Sequence, residues 1–346
     1  MSRIRVLVID DSAFARRVLR QVLSRSPQVE VVGTAHDGLD GLERVTELEP
    51  DVVTLDLVMP NLDGIGFLQA LRSLPVRQQP RVVVVSMSGT GSDLAISALH
   101  EGAVEVVQKP TALANDRLYE LGDELVRKVE AAAVAKLIRP LARAAPLPLP
   151  AAPIPTPRHG LLVIGASTGG PQAVTALLRA LPKTFPVPIA LVVHIPVGFS
   201  QSLAEHMDRD CELDVCEASE GQPLRAGLAV VARAGVHLTF GHGADGVLRC
   251  LLTAPPGVGF HRPSLDVMFE SAASVCPSPV LGVVLTGMGS DGLEGSRALR
   301  RHAGTVLTQG EASSVVYGMP RVVWEDGLAA AQAEIEDMPA LVLRHL

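Results

Sequence analysis

The stretch Gly165-Ala166-Ser167-Thr168-Gly169-Gly170 closes an apolar run, "LLVIG", and a buried strand that turns sharply on glycines exposes whatever sits in the turn. Two chemistries use that geometry. Backbone N–H groups at the head of a following helix cradle a pyrophosphate in dinucleotide folds, whereas Gly-x-Ser-x-Gly holds a serine hydroxyl clear of its sheet as a nucleophile. The rest of the chain separates them. Two further apolar runs, in "IALVVHIP" and "VLGVVLTGMGSDG", lead into His194 and Asp291. As parallel strands of one sheet, the three runs bring Ser167, His194 and Asp291 to one edge, which is what a nucleophile, its general base and the acid orienting that base require. A dinucleotide site wants an acidic residue at the end of the second strand to hold a ribose hydroxyl, and this chain has His194 there. The order Ser, His, Asp also differs from the Ser, Asp, His of ordinary α/β-hydrolases. Taken singly, each residue has a plainer role: Ser167 as a helix N-cap, His194 as a structural histidine, Asp291 as a turn acid.

An oxyanion formed at Ser167 needs donors. The backbone N–H of Thr168 lies next to the nucleophile at a helix N-terminus, and the glycine-rich turn "TGMGSDG" offers the N–H of Met288. A second set of polar residues lies earlier in the chain, each at the end of a strand-like run: Asp10 and Asp11, Asp56, Ser86 and Lys109. Three converging carboxylates repel one another unless a hard cation joins them, and Mg²⁺ suits oxygen ligands. A carboxylate beside Mg²⁺ attacks a phosphoryl donor to form an aspartyl phosphate. That reading makes Asp56 the acceptor, with Ser86 and Lys109 contacting the phosphoryl oxygens and Asp10, Asp11 and Asp56 holding the metal.

The elements that must position these groups are legible in the patterning. Apolar runs Ile4–Ile9, Val29–Ala35, Val52–Leu55, Val82–Val85 and Val104–Val107 alternate with helix-period segments such as Ala13–Arg25, where Phe14, Val18, Leu19, Val22 and Leu23 form a stripe and Ser12 caps the start. Five β/α units predict a flavodoxin-like, doubly wound sheet. Residues 138 to 159, "IRPLARAAPLPLPAAPIPTPRH", read as a semi-rigid linker, because proline removes backbone donors and favours an extended chain. The expected organisation is therefore a first domain over residues 1–125, a helix end and Pro/Ala-rich linker over 126–158, and a second α/β domain over 159–346.

Composition bounds the class. The chain has 346 residues, 47% of them hydrophobic and only 3% aromatic, so its cores are aliphatic, as suits parallel sheets covered on both faces. Residues 1–125 and 159–346 each carry 12 Lys/Arg against 18 Asp/Glu, which argues against a nucleic-acid-binding face. Four cysteines without Cys-x-x-Cys spacing read as reduced thiols. The first apolar run is interrupted by Arg5 and is too short for a signal peptide, and no stretch reaches the length of a membrane span. A cytoplasmic monomer without membrane insertion is expected.

"VLVIDDS", "DVVTLDLVMPNLDGIGFL", "VVVVSMSG" and "GAVEVVQKP" resemble, in order and spacing, the receiver domain of bacterial two-component response regulators. The resemblance makes Asp56 the phosphoacceptor and the Lys109-Pro110 bond cis. It also points to a departure, since Val106 stands where receivers often carry Tyr or Phe. After the linker, "IGASTGGPQA", "HIP", "HRPSLDVMFESAA", "VLTGMGSDG" and "TQGEASSVVYGMP" are similar to the methylesterase domain of chemotaxis response regulators. That implies a Rossmann-like fold with Ser167, His194 and Asp291 as the triad and no cofactor for the hydrolysis. It implies a reaction that removes methyl esters from receptor glutamates, releasing methanol, and deamidates receptor glutamines. Methyl-accepting chemoreceptors are then the substrate, a histidine kinase of the chemosensory array is the phosphodonor, and phosphorylation relieves a receiver that covers the Ser167 edge. Arg233 replaces a proline common before His237, and His261 falls near the pocket. A different class of function, a non-enzymatic regulator whose second domain binds a nucleotide or a protein, remains the alternative to a phosphorylation-gated hydrolase.

Overall fold

The computed structural model describes residues 3–86, 92–109, 115–136, 157–254 and 261–346. The chain divides into two compact units, Met1–Pro140 and Leu141–Leu346.

The first unit runs β1 (Ile4–Ile9), α1 (Ala13–Leu23), β2 (Val29–Ala35), α2 (Gly38–Leu48), β3 (Val52–Leu55), α3 (Gly64–Leu71), β4 (Arg81–Ser86), α4 (Ser92–His100), β5 (Glu105–Gln108) and α5 (Asn115–Val134). Its strands form one parallel sheet in the order β2-β1-β3-β4-β5, so the chain reverses direction between β1 and β3. That crevice is where a doubly wound sheet places its site. The strand interiors are nearly unbroken Val, Ile and Leu because helices cover both faces; Val6, Leu7, Val8, Val53 and Val83 are all buried. Ser12 caps α1 by accepting from the Ala15 N–H at 3.3 Å. Of the expected stripe on α1, Val18, Leu19, Val22 and Leu23 are buried, but Phe14 is 55% exposed. It sits on the helix's first turn, level with the carboxyl edge of β1, where the sheet no longer lies beneath it.

The second unit runs β6 (Leu161–Ala166), α6 (Gly170–Arg179), β7 (Ile189–Val193), α7 (Ser200–Asp210), β8 (Asp214–Glu217), β9 (Leu228–Val231), β10 (His237–His242), β11 (Leu248–Thr253), α8 (Leu265–Val275), β12 (Val280–Val284), α9 (Leu293–Arg301), β13 (Thr305–Gln309), α10 (Met319–Glu325), β14 (Ala331–Ala333) and α11 (Met338–His345). Seven parallel strands lie in the order β14-β13-β12-β6-β7-β9-β8, and β10 and β11 pair separately as an antiparallel hairpin. The central strand β6 lies between β7 and β12, so this sheet also has its switch point beside its first strand. One core joins Leu161 and Val163 of β6 to Leu265, Met268, Phe269 and Ala272 of α8, and to Leu238, Phe240 and Cys250 of the hairpin.

Gly165 lets α8 approach the sheet. A Cβ at that position would overlap the side chain of Leu265, which is itself fully buried. Gly165→Ala is therefore expected to lower stability by about 1–3 kcal/mol, the usual cost of overpacking, as read from chemical denaturation. An unchanged denaturation midpoint would mean that α8 retreats freely.

No described helix is long and apolar enough to cross a membrane. The Lys109-Pro110 bond and most of the expected linker lie outside the described residues. The four cysteines are free thiols, and burial pushes Cys211, Cys250 and Cys276 up to about 12.

Candidate functional site

Ser167, His194 and Asp291 follow three adjacent strands, β6, β7 and β12. The β6–β7 register pairs Ala166 with Val193, and the His194 N–H donates to the Ala166 carbonyl at 3.0 Å, so Ser167 and His194 are the next residues on neighbouring strands. Ser167 is held on its other side, where its N–H donates to the Thr286 carbonyl at 3.0 Å. Gly169, at φ +74°, completes the turn in a conformation natural to glycine, and a Cβ there would overlap Val315.

His194 and Asp291 are in direct contact, with Nε2 donating to Oδ2 at 2.8 Å. Their side chains are only 8% and 9% exposed. The Asp291 carboxylate is saturated: Oδ1 accepts from Ser264 Oγ at 2.8 Å and from the Asp266 N–H at 3.0 Å, and Oδ2 also accepts from the Leu265 N–H at 2.7 Å. Burial works to raise its pKa, but the His194 hydrogen bond and charge and the backbone N–H groups of Asp266 and Leu265 outweigh it. The carboxyl is held well below the usual range and stays ionised. Because Asp291 occupies Nε2, the ring's Nδ1 is the nitrogen left to accept a proton. Nδ1 is buried and makes no hydrogen bond among the described residues. No hydrogen bond joins Ser167 Oγ to His194 among the described residues, and such bonds commonly tighten only when substrate is present.

The expected oxyanion donors lie on the flanking turns. Thr168 is buried just ahead of α6, and Thr286 Oγ1 donates to its carbonyl at 2.9 Å. The Gly287 N–H is committed to the Val316 carbonyl at 3.0 Å, and the Gly287 carbonyl accepts from Gly318 and Met319. The Met288 N–H has no such partner among the described residues, and its side chain is exposed.

Three neighbours had weaker sequence signals. His261 stacks flat on His194, with ring centroids 4.1 Å apart and planes within 9°. Ser264 and Asp266 read in the sequence as an ordinary helix start, Ser264 capping α8 and Asp266 in its first turn. Both in fact bond to Asp291 from α8. Nothing in their spacing to residue 291 announces that. The Ser264 N–H donates to His237 Nδ1 at 3.2 Å, and burial together with the Arg262 charge lowers the His237 pKa, which favours the neutral ring that this bond needs. Arg233, at the position of the missing proline, donates to Glu217 at 2.9 Å, and the Gly235 N–H two residues on holds the Arg262 carbonyl at 2.9 Å. An ion pair thus ties this loop to the end of β8.

In the first unit, Asp10, Asp11 and Asp56 present carboxylate oxygens within 4.8 Å of one another. Lys109 Nζ stands 2.7 Å from Asp10 Oδ2 and 2.8 Å from Asp56 Oδ2. Burial raises the Asp10 pKa despite that ammonium group; burial opposes the Lys109 charge, but its two carboxylate partners raise it on balance. An all-oxygen donor set of this size fits a hard divalent cation such as Mg²⁺. Ser86 is buried at the end of β4, its carbonyl accepting from the Lys109 N–H at 2.6 Å, so Ser86 and Lys109 close the same pocket edge. Val106 is buried in β5.

Both units match known proteins. The CheB methylesterase family model matches residues 162–342, and the response regulator receiver domain model matches residues 6–120. A Myxococcus xanthus relative named protein-glutamate methylesterase/protein-glutamine glutaminase 5 is 55% identical over all of this chain and 99% of its own. A Halalkalibacterium halodurans relative named protein-glutamate methylesterase/protein-glutamine glutaminase is 40% identical, covering 99% of this chain and 98% of its own. The crystal structure of the Thermotoga maritima CheB methylesterase catalytic domain matches with a TM-score of 0.52 at 34% identity, covering 54% of this chain and 99% of that one. Matched over its length by these relatives and over residues 162–342 by the family model, the chain belongs to the CheB methylesterase family, with a response regulator receiver domain preceding the methylesterase domain in the sequence.

Proposed function

We propose that the protein hydrolyses methyl esters of glutamate side chains on chemoreceptors, releasing methanol, and deamidates receptor glutamines, under control of receiver phosphorylation. The observation that carries the reading is the buried His194 ring, fixed by Asp291 through Nε2 and left with an unengaged Nδ1, at the end of the strand next to the one that leads into Ser167. In the first step Ser167 Oγ bonds to the ester carbonyl carbon as its proton passes to His194 Nδ1. The carbonyl oxygen becomes an oxyanion, stabilised by the N–H groups of Thr168 and Met288. Collapse expels methanol, or ammonia from glutamine, carrying the proton from His194. A water, deprotonated by His194, then attacks the acyl-serine, and Ser167 leaves with that proton, giving glutamate. The test is methanol release from methylated receptor membranes; membranes that retain their methyl groups in the presence of active-state protein would refute the reading.

For the receiver, the proposal is phosphoryl transfer from a histidine kinase to Asp56, with Ser86 and Lys109 contacting the phosphoryl oxygens. Asp10, Asp11 and Asp56 would hold Mg²⁺, which when bound would neutralise the charge that gathers between carboxylates and phosphoryl group. Asp56→Asn should take up no stable label from a small radiolabelled phosphodonor, and the wild-type label should be lost in alkaline hydroxylamine, as expected of an acyl phosphate. Label retained by the variant on another residue would count against Asp56.

The proposed organisation is a receiver over 1–125, a connector over 126–158 and a catalytic domain over 159–346. If phosphorylation acts by shifting a conformational equilibrium, its effect is bounded by the coupling free energy, typically about 5- to 150-fold. Phosphodonor should raise full-length turnover within that range and leave a fragment beginning near residue 150 unchanged. A folded fragment no faster than the unphosphorylated whole chain would mean that the receiver activates rather than inhibits.

A further inference from the structure

Asp266 has no part in the hydrolysis described above, yet two hydrogen bonds tie it to the turn that carries Asp291. Its Oδ1 accepts from the Gly292 N–H at 2.9 Å and the Gly295 N–H at 2.7 Å, the first free donors of α9. In return Asp291, from the start of α9, accepts from the Leu265 and Asp266 N–H groups, the first free donors of α8. Each helix N-terminus is thus capped by a carboxylate from the other, satisfying four backbone donors that a helix end would otherwise leave open. The two first turns are pressed together to allow this. A Cβ at Gly295 would stand 2.6 Å from Phe269 Cβ and 3.0 Å from Asp266 Cα.

We propose that Asp266 is a positioning residue for the hydrolytic site: it clamps the Asp291–Gly295 turn and so fixes the Asp291–His194 hydrogen bond that aims Nδ1 at Ser167. The proposal rests on the triad reading. It explains why a second carboxylate is kept beside Asp291 although two such groups repel in a buried place. Burial and the Asp291 charge push Asp266 up to about 6, against the opposing pull of the Gly295 and Gly292 N–H groups. The charged and titratable side chains on the elements packed around it are Asp291 on the turn, Glu294, Arg297, Arg300 and Arg301 on α9, Glu270 further along α8, His237 and His242 on β10, Arg249 on β11, His261 and Arg262 ahead of α8, and His194 beyond Asp291. Asp291 is the one whose charge bears on Asp266.

The experiment uses full-length protein, with kcat and KM measured separately on methylated receptor membranes and the Nε2–H proton of His194 followed by NMR downfield of the amides. In Asp266→Ala, kcat should fall between about ten- and a hundredfold, as expected when a catalytic group is misaimed by an ångström or less, with KM unchanged and the downfield proton broadened. Asp266→Asn keeps an acceptor oxygen for Gly292 and Gly295 and should recover most of that loss. In the wild type, the Gly292 and Gly295 amide signals should move with a midpoint near 6 and the downfield proton should show a step at the same midpoint; in Asp266→Asn the two amide shifts and that step should be absent. This titration decides the matter if the alanine variant does not fold. A folded Asp266→Ala enzyme with wild-type kcat overturns the proposal, as does a downfield proton whose titration is the same in the wild type and in Asp266→Asn while the wild-type amides move. Wild-type turnover by Asp291→Asn would sink the triad, and the clamp with it; an inactive Asp291→Asn beside a fully active Asp266→Ala sinks the clamp alone.

Discussion

Ser167→Ala should release no measurable methanol from methylated receptor membranes while keeping the wild-type unfolding transition. The expected loss in kcat is on the order of 10⁶-fold, the scale seen when a serine nucleophile is deleted from a triad whose members act as one unit. The fold should not notice. Ser167 is held by its backbone, with its N–H on the Thr286 carbonyl and its own carbonyl accepting from Gly170, and its hydroxyl makes no hydrogen bond among the described residues. A phosphonate probe that labels the wild type on Ser167 should leave the alanine variant unlabelled. Wild-type turnover by Ser167→Ala would remove the serine from the chemistry and revive the reading of this turn as a binding cradle.

Asp291→Asn should be nearly as severe, with kcat lower by about 10⁴-fold, and the geometry gives the reason. Asp291 accepts four hydrogen bonds, two on each oxygen, and donates none. An asparagine has only one acceptor oxygen, so its NH₂ must face two donors on one side. Facing Ser264 Oγ and the Asp266 N–H, it breaks the link to α8. Facing His194, it forces Nε2 to become the acceptor and places the ring proton on Nδ1, the nitrogen that must receive the proton of Ser167. The first orientation leaves His194 without the carboxylate charge that stabilises its protonated ring, the second removes the base outright, and KM should change little because the carboxylate does not touch the substrate. The variant should also lose the downfield imidazole proton. A variant with full turnover would require some other group to orient His194.

The sequence by itself determined the two α/β units, the extents of the receiver's five strands to within a residue, and that Ser167, His194, Asp291, Asp10, Asp56 and Lys109 lie just beyond apolar runs. It did so for a physical reason. Strands buried on both faces must be unbroken apolar runs, and in a parallel sheet the first polar residues after such runs land together at the carboxyl edge. Chemistry placed at strand ends is therefore written in one dimension. What the tertiary structure decided is everything that depends on strand order and on helices meeting across the sheet. The sequence does not state that β12 returns to lie beside β6, and without that pairing Asp291 would be a turn acid. The choice of ring nitrogen follows from where Asp291 arrives relative to His194, which no spacing encodes. His261 comes to stack on His194 from a segment 67 residues further along the chain. Ser264 and Asp266 look locally like any helix start, because capping is a short-range signal. Their bonds to Asp291 and to the first turn of α9 arise only because two helix N-termini, each with unsatisfied donors, are packed end to end against one sheet edge.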